Sequence, residues 1–358
     1  MSSREAALDL MPSVRVLLRV AGCAPSGEIP ARFSAATVDA HCKALLAFHE
    51  QWRKRWLALA RPFFDQVVPA DVPARVVYPF GGGDLLTALV TFPAALEITT
   101  LSLEPAGDPR AIETLPPSEL AVNLTAVRKN VNHIFAIGHS KTTDMGKMAK
   151  SKLPGDLTYA LVALTLNDFD VLAVRVFRLG PSGEVVYLSQ ADIDMDAGKT
   201  TGRRSPFGSV EIEYRSRAGG PVRTFRHLAV NLNDRTLTAD PSVLRHLEAK
   251  GRIAAMTKAA SYLLWWDQFG KIRDYLLRNM VWMVSDSTGI PFQVARAAGF
   301  EQIPFGRFEG PFLGGGREPT EDFKKLWADE AAPLAFRFGY PDRAGNDHLL
   351  ITRRAVEK

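Results

Sequence analysis

The chain has 358 residues, 46% apolar and 23% charged, with two cysteines and a formal net charge of +5. This composition excludes collagen-like, disordered and disulfide-scaffold proteins, and the length suffices for a large core without covalent staples. The cation excess is mild and its densest clusters, Arg53-Lys54-Arg55 and Lys199 to Arg204, are short. A nucleic-acid binder gathers its cations into a stripe with stacking aromatics, so no nucleic-acid partner is expected.

No apolar run reaches the roughly 18 residues that span a bilayer. Val20-Ala21-Gly22-Cys23 has the form of a lipoprotein cleavage box. Arg15 and Arg19 interrupt the apolar core that a signal needs, so the segment reads as a short buried element. Cys23 and Cys42 make no Cys-x-x-Cys pair. A disulfide between them stays open, and two scattered cysteines fit a reducing, cytoplasmic setting.

Ala35 to Val68 predicts one long helix, with an apolar stripe from Val38 to Phe64 and a kink at Pro62. Arg75 to Phe80 is β-rich, Gly81-Gly82-Gly83-Asp84 is a turn, Leu85 to Phe92 a short helix and Leu96 to Leu103 a second strand. Ser118 to His133 predicts a helix, Ile134 to Ile137 a short strand and Met145 to Leu153 a basic helix. Leu157 to Leu166 is apolar and of undecided type. Val171 to Leu179 and Glu184 to Leu188 flank Gly180-Pro181-Ser182-Gly183, a hairpin signal, and Val210 to Ser216 with Val222 to Leu228 form a second hairpin. Asp192 to Ser209 reads as an exposed loop. Pro241 to Glu248 and Ile253 to Asn279 predict helices, the latter bent at Gly270, and Met280 to Ser285 a strand. Gly299 to Pro319 reads as a structured loop, and Pro333 to Gly339 with His348 to Arg353 as a closing antiparallel pair.

The order strand, glycine turn, helix, strand, acid in Val76 to Glu104 is the best functional clue. Glycines after a first strand let a nucleotide approach the backbone, and the following helix start offers free N–H groups. Glu104, about twenty residues on, stands where an acid accepts hydrogen bonds from ribose hydroxyls. The segment resembles the first ligand-binding motif of S-adenosylmethionine-dependent methyltransferases. It departs by carrying Tyr78-Pro79-Phe80 where those enzymes often have an acid, while Asp84 follows the glycines. The resemblance implies S-adenosylmethionine, with Gly81, Gly82, Gly83 and Asp84 lining the ligand and Glu104 on its ribose. The alternative is a tight turn that binds nothing.

Four further pieces, Tyr78 to Asp84, Leu103 to Gly107, Lys258 to Tyr262 and Asp286 to Pro291, look like signature segments of an uncharacterised bacterial protein family. In that family the first piece reads closer to Tyr-Pro-Phe-Ser-Gly-Pro-Asp. The resemblance implies a shared fold and no known reaction.

Other motifs fall short. Gly138-His139-Ser140-Lys141-Thr142 lacks the closing glycine of a nucleophile elbow, leaving Ser140 a hydrolase alternative with His133, His227 and His348 as conceivable bases. Gly198-Lys199-Thr200 lacks the upstream phosphate-loop glycine, because position 193 is Ile193. Asp192 to Asp196 starts like a calcium loop, but Ala197 and Arg203 occupy its glycine and glutamate places, so an exposed strand edge fits better. His49-Glu50 lacks the second zincin histidine. Asp286 and Ser287 form a candidate site loop, against the plainer reading of an aspartate turn. Lys258, Ser261 and Tyr262 read as packing residues.

The expected fold is α/β: a Rossmann-like, methyltransferase-like mixed sheet over residues 71–358 with antiparallel hairpin additions, and an N-terminal helical segment over residues 1–70 packed on it. The expected ligand is a small molecule or nucleoside, S-adenosylmethionine first, with no metal. A non-catalytic binding or scaffold protein on the same fold is the alternative.

Overall fold

The computed structural model describes residues 6–137, 150–196, 205–308, 321–339 and 347–355, and the side chains of these apart from 135–137. Ten strands form one mixed sheet in the order β4-β3-β5-β6-β2-β1-β7-β8-β10-β9. They are β1 (Arg75–Pro79), β2 (Glu97–Ser102), β3 (Phe169–Leu179), β4 (Val185–Tyr187), β5 (Ser209–Ser216), β6 (Arg223–Ala229), β7 (Ile253–Thr257), β8 (Met280–Ser285), β9 (Phe300–Gly306) and β10 (His348–Arg354). The centre, β6-β2-β1-β7-β8, is parallel throughout. Antiparallel additions flank it on both sides: β5, β3 and β4 beside β6, and β10 and β9 beside β8.

Each face of the sheet carries helices, as a parallel centre requires. On one face Val76, Tyr78, Ile98, Phe225, Met256 and Trp282 share a core with α1 (Met11–Val20), α2 (Ala35–Trp52), α3 (Ala58–Val67), α4 (Leu85–Thr91), α5 (Ala111–Thr114), α6 (Leu120–Ile137) and α7 (Gly155–Leu166). On the other, Val77, Leu101, Leu228 and Ala255 pack with α9 (Asp234–Ala239), α10 (Ser242–Glu248), α11 (Gly270–Asn279) and α12 (Phe292–Ala297). The remaining helices are α8 (Gln190–Met195) and α13 (Glu321–Glu330).

The N-terminal helices are part of the core. Val14, Leu17, Val20 and Ala21 of the lipoprotein-like segment are fully buried. A five-residue π-turn, Arg53–Leu57, joins α2 to α3, so the long helix is interrupted before Pro62, which stays inside α3. Of the expected stripe, Val38, Leu45, Trp52 and Phe64 are buried, while Leu46 and Leu59 are exposed.

Cys23 and Cys42 are joined in a disulfide, where the sequence favoured a reduced pair. His41 lies against them; its Nε2 is 2.9 Å from the Ala21 carbonyl and its Nδ1 is 3.0 Å from Arg128. The Cys-His-Cys donors, though within 4.8 Å of one another, are thus engaged with the protein. Breaking the bond is expected to cost about 2 kcal/mol, the low end for a loop of this length because buried packing already holds both ends. Melting with and without a dithiol reductant tests this, with a drop of roughly 3 °C expected for a chain of this size.

Several elements differ from expectation. Ile134 to Ile137 continues α6 and is no strand. Leu157 to Leu166 lies within α7, buried on nearly every side, which explains the absence of a periodic signal. Asp192 to Met195 is helical, and Asp192 closes a capping box with Ser189, so the strand-edge reading fails. Ile253 to Asn279 is not one helix: Ile253–Thr257 is β7, and two short 3-10 turns, Ala259–Trp265 and Asp267–Phe269, precede α11. Ile-Ala-Ala-Met-Thr is buried on both faces and so lacks the alternation that marks a half-exposed strand. Phe300–Gly306 is a strand rather than loop, and β10 pairs with β8 and β9 rather than with Pro333 to Gly339. Ser140, Gly198 to Thr200, Ala197, Arg203 and most of Met145 to Leu153 lie outside the described residues.

Candidate functional site

The chain leaves β1 toward one face, through α4, and leaves the adjacent β7 toward the other, through the 3-10 turns and α11. Neighbouring parallel strands whose connections part in this way leave a crevice beyond their carboxyl ends, where ligands of open α/β sheets bind. The glycine turn follows β1 and Lys258 follows β7, so both stand at this point.

The turn bends sharply. Phe80 has φ 61° and Gly82 φ 47°. A β-carbon on Gly81 would lie 2.6 Å from the Tyr78 ring, and one on Gly83 would lie 2.9 Å from Tyr159. Packing against those two rings therefore accounts for the first and third glycines.

Asp84 caps α4 by accepting from the Thr87 backbone N–H at 3.3 Å and from its hydroxyl at 2.7 Å. Its other oxygen accepts from the Tyr78 hydroxyl at 3.0 Å and pairs with the Lys258 ammonium at 2.5 Å. Lys258 also donates to the Thr87 hydroxyl at 3.0 Å and lies 5.3 Å from the Phe338 ring centre. Asp84 is 1% exposed and Lys258 2%. Burial, and the Asp84 carboxylate beside it, push the Tyr78 hydroxyl far above its ordinary range. Asp84 thus meets the interior of the protein rather than open space.

Asp286 completes the buried cluster. It accepts from the Ala259 backbone N–H at 2.8 Å, the Thr288 backbone N–H at 2.9 Å and the Thr288 hydroxyl. The Ser261 and Thr288 hydroxyls share a hydrogen bond of 2.6 Å. Gly339, at φ 67°, passes directly over the Asp286 carboxylate. The Asp286-Ser287 loop therefore faces the residues after β7, Asp286 makes the aspartate turn of the plainer reading, and both residues are buried.

A cavity of about 410 Å³ opens on the other side of the turn. Phe80, Gly82, Glu104, Leu232, Arg235 and Phe269 are among the residues that line it. Of the three turn glycines only Gly82 reaches it. The volume lies in the range that holds a nucleoside-sized ligand. The Glu104 carboxylate makes no hydrogen bond or ion pair with any described residue, although its backbone is fixed at both ends. Its N–H donates to the Ser102 hydroxyl at 3.3 Å, and its carbonyl is 2.8 Å from His227 Nε2.

His227 Nδ1 is 3.0 Å from the Thr100 hydroxyl, and Nε2 is 3.6 Å from Asp156. Burial lowers the histidine and raises the Asp156 carboxyl well above its usual range, the latter helped by the Glu104 charge. Both shifts favour the neutral forms, so the contact is a neutral one. With Nε2 protonated, His227 donates to the Glu104 carbonyl and accepts from Thr100.

The structure thus separates the sequence candidates into two groups. Gly82 and Glu104 line the cavity; Gly81, Gly83, Asp84, Asp286 and Ser287 build what lies behind it. Lys258, read as a packing residue, is the cation on which the buried group centres, and the walls from Val230 to Arg235 and from Leu263 to Phe269 carried no motif. The four pieces resembling an uncharacterised bacterial family converge here, through the Asp84–Lys258, Ala259–Asp286 and Ser261–Thr288 contacts and through Glu104 in the cavity. No family model, no curated protein and no solved structure matches the chain.

Proposed function

We propose that the cavity beside the glycine turn binds a nucleoside on a Rossmann-like sheet, with S-adenosylmethionine the first candidate and methyl transfer the reaction. The observation that carries this reading is the unpaired Glu104 carboxylate in the wall of a cavity at the carboxyl ends of the parallel strands. A carboxylate there accepts two hydrogen bonds from vicinal ribose hydroxyls. Phe80 and Phe269, with ring centres 5.9 Å apart, offer apolar surface to a base, and Gly82 brings the turn to the cavity wall without a side chain. Methyl transfer asks chiefly that donor and acceptor be held in line. That requirement accords with a lining of amides, one acid and one cation without a nucleophile–base pair.

Calorimetric titration with S-adenosylhomocysteine tests the reading. Glu104→Ala is expected to weaken binding by about 10- to 100-fold, the value of a charge-assisted hydrogen bond to a ligand hydroxyl, with an unchanged melting temperature. Equal affinity in the variant and the parent removes Glu104 from the ribose. A second reading, binding without turnover, is favoured by Asp84, whose carboxylate is spent on Tyr78, Thr87 and Lys258 rather than offered to a ligand. Tight binding of the sulfonium nucleoside with no methyl transfer to any acceptor supplied would support it.

A further inference from the structure

The cavity wall mixes apolar side chains with polar ones, and it carries an acid and a cation. Glu104 is half-buried where the chain leaves β2, while Arg235 and Gln268 are exposed where α9 meets the Asp267–Phe269 turn. Phe80, Val230, Leu232, Leu263 and Phe269 lie among the walls. Asp234 holds the exposed rim together, because its Oδ1 accepts from the Lys271 backbone N–H at 2.9 Å and so ties the start of α9 to the start of α11. That bond also commits the acid nearest Arg235 in sequence. Arg235 and Gln268 themselves make no hydrogen bond or ion pair with any described residue. A free guanidinium, opposite in charge to Glu104, beside a free neutral carboxamide on one rim forms a donor set for an anion.

We infer that the ligand is a nucleoside carrying an anionic arm, which Arg235 and Gln268 take while Glu104 takes the ribose. This rests on the nucleoside reading above and deepens it. A bare nucleoside would leave the cationic rim unused, whereas a phosphate or carboxylate would meet it. The two sources of charge share this chemistry and differ in shape: a phosphate is compact and close to the sugar, and an amino-acid carboxylate sits on a longer, flexible chain.

Calorimetry on the full chain with adenosine, adenosine monophosphate and S-adenosylhomocysteine separates the possibilities, using the parent, Arg235→Gln and Glu104→Ala. At least one of the two ligands that carry an anionic group, the monophosphate or the zwitterionic S-adenosylhomocysteine, is expected to bind the parent about tenfold more tightly than adenosine, the scale of one charge-assisted contact at a partly exposed site. Arg235→Gln should remove most of that advantage, leave adenosine unchanged and weaken the salt dependence. Glu104→Ala should weaken all three by a similar factor. An advantage confined to the monophosphate assigns a nucleotide, and one confined to S-adenosylhomocysteine assigns an amino-acid arm. If all three bind the parent equally, or if Arg235→Gln keeps the full advantage, the anionic arm is wrong while the nucleoside reading stands. If none of the three binds the parent, the nucleoside reading fails and the anionic arm fails with it.

Discussion

Lys258→Met is expected to destabilise the fold by about 3–5 kcal/mol, the cost of removing one partner from a buried ion pair. Methionine keeps most of the length of the lysine stem but gives up the ammonium that lies over the Phe338 ring, so most of the loss comes from the charge rather than from packing. What remains is the Asp84 carboxylate, 1% exposed and stripped of its cation. Tyr78 and Thr87 still donate to it, but neither carries charge. Asp84→Asn alone should cost a similar amount by stranding Lys258. The double variant Lys258→Met/Asp84→Asn should lose clearly less than the sum, because neither buried group then carries charge without a partner. Urea unfolding of the four proteins gives the coupling directly. Additive losses would mean that the two groups do not stabilise one another across the β1–β7 boundary.

The consequence for function follows from position. The Asp84–Lys258 pair locks the start of α4 to the end of β7, and the turn between β1 and α4 carries Gly82 to the cavity. Phe80 and Ala259 both adopt left-handed backbone conformations, at φ 61° and 49°, on either side of this lock. Such conformations cost of order 1 kcal/mol or more in non-glycine residues and persist where surrounding contacts hold them. The buried cluster therefore acts on the cavity wall from behind, while Glu104 stands in the wall itself.

Much of this arrangement was legible in the sequence, and the part that was not has a physical explanation. β1, the glycine turn, α4 and β2 follow one another with strong local signals, and Glu104 lies just past the end of β2, where spacing put it. The hairpins were marked by their glycine turns. β7 was missed because a central parallel strand is apolar on both faces, and alanine within it reads as helix. That single miss hid the chemistry of Lys258: on a helix it is one more amphipathic lysine, but at the end of a central strand its ammonium has nowhere to go except to a buried carboxylate. The cavity walls were illegible for a different reason. Residues 230–235 and 263–269 meet only because β6 lies parallel to β2, beyond the reach of local pattern. The cysteine pairing likewise depends on a tertiary approach of the α1 end to α2.

Acid is expected to remove about 3 kcal/mol of stability through Glu97, at the amino end of the same strand that leads to Glu104. Burial alone would raise the Glu97 carboxyl, but the Lys250 ammonium and the Arg226 guanidinium overcome it and bring it down from 4.5 to about 2. Arg226 lies 2.9 Å from Glu97 and 2.7 Å from Glu211, and Arg175 continues the row to Glu213 at 3.2 Å, so the charges run across β2, β6, β5 and β3. The two partners of the Glu97–Lys250 contact are not served equally, since burial also pulls Lys250 below the usual lysine range despite its carboxylate. Glu97, facing two cations, is the partner whose ionised form the pairing protects. A carboxyl lowered in the folded state stabilises fully above its unfolded value, so this contribution is intact above pH 4.5 and disappears as pH falls toward about 2. His41 and His246, which burial lowers to about 4, act in a separate window. The unfolded chain takes up their protons first, and stability falls between pH 6.5 and about 4. Glu97→Gln removes the acid component: it should cost about 3 kcal/mol at pH 7 and approach the parent near pH 2. Urea unfolding across this range is the measurement. Parallel curves for the two proteins down to pH 2 would show that Glu97 is not held ionised by Lys250 and Arg226.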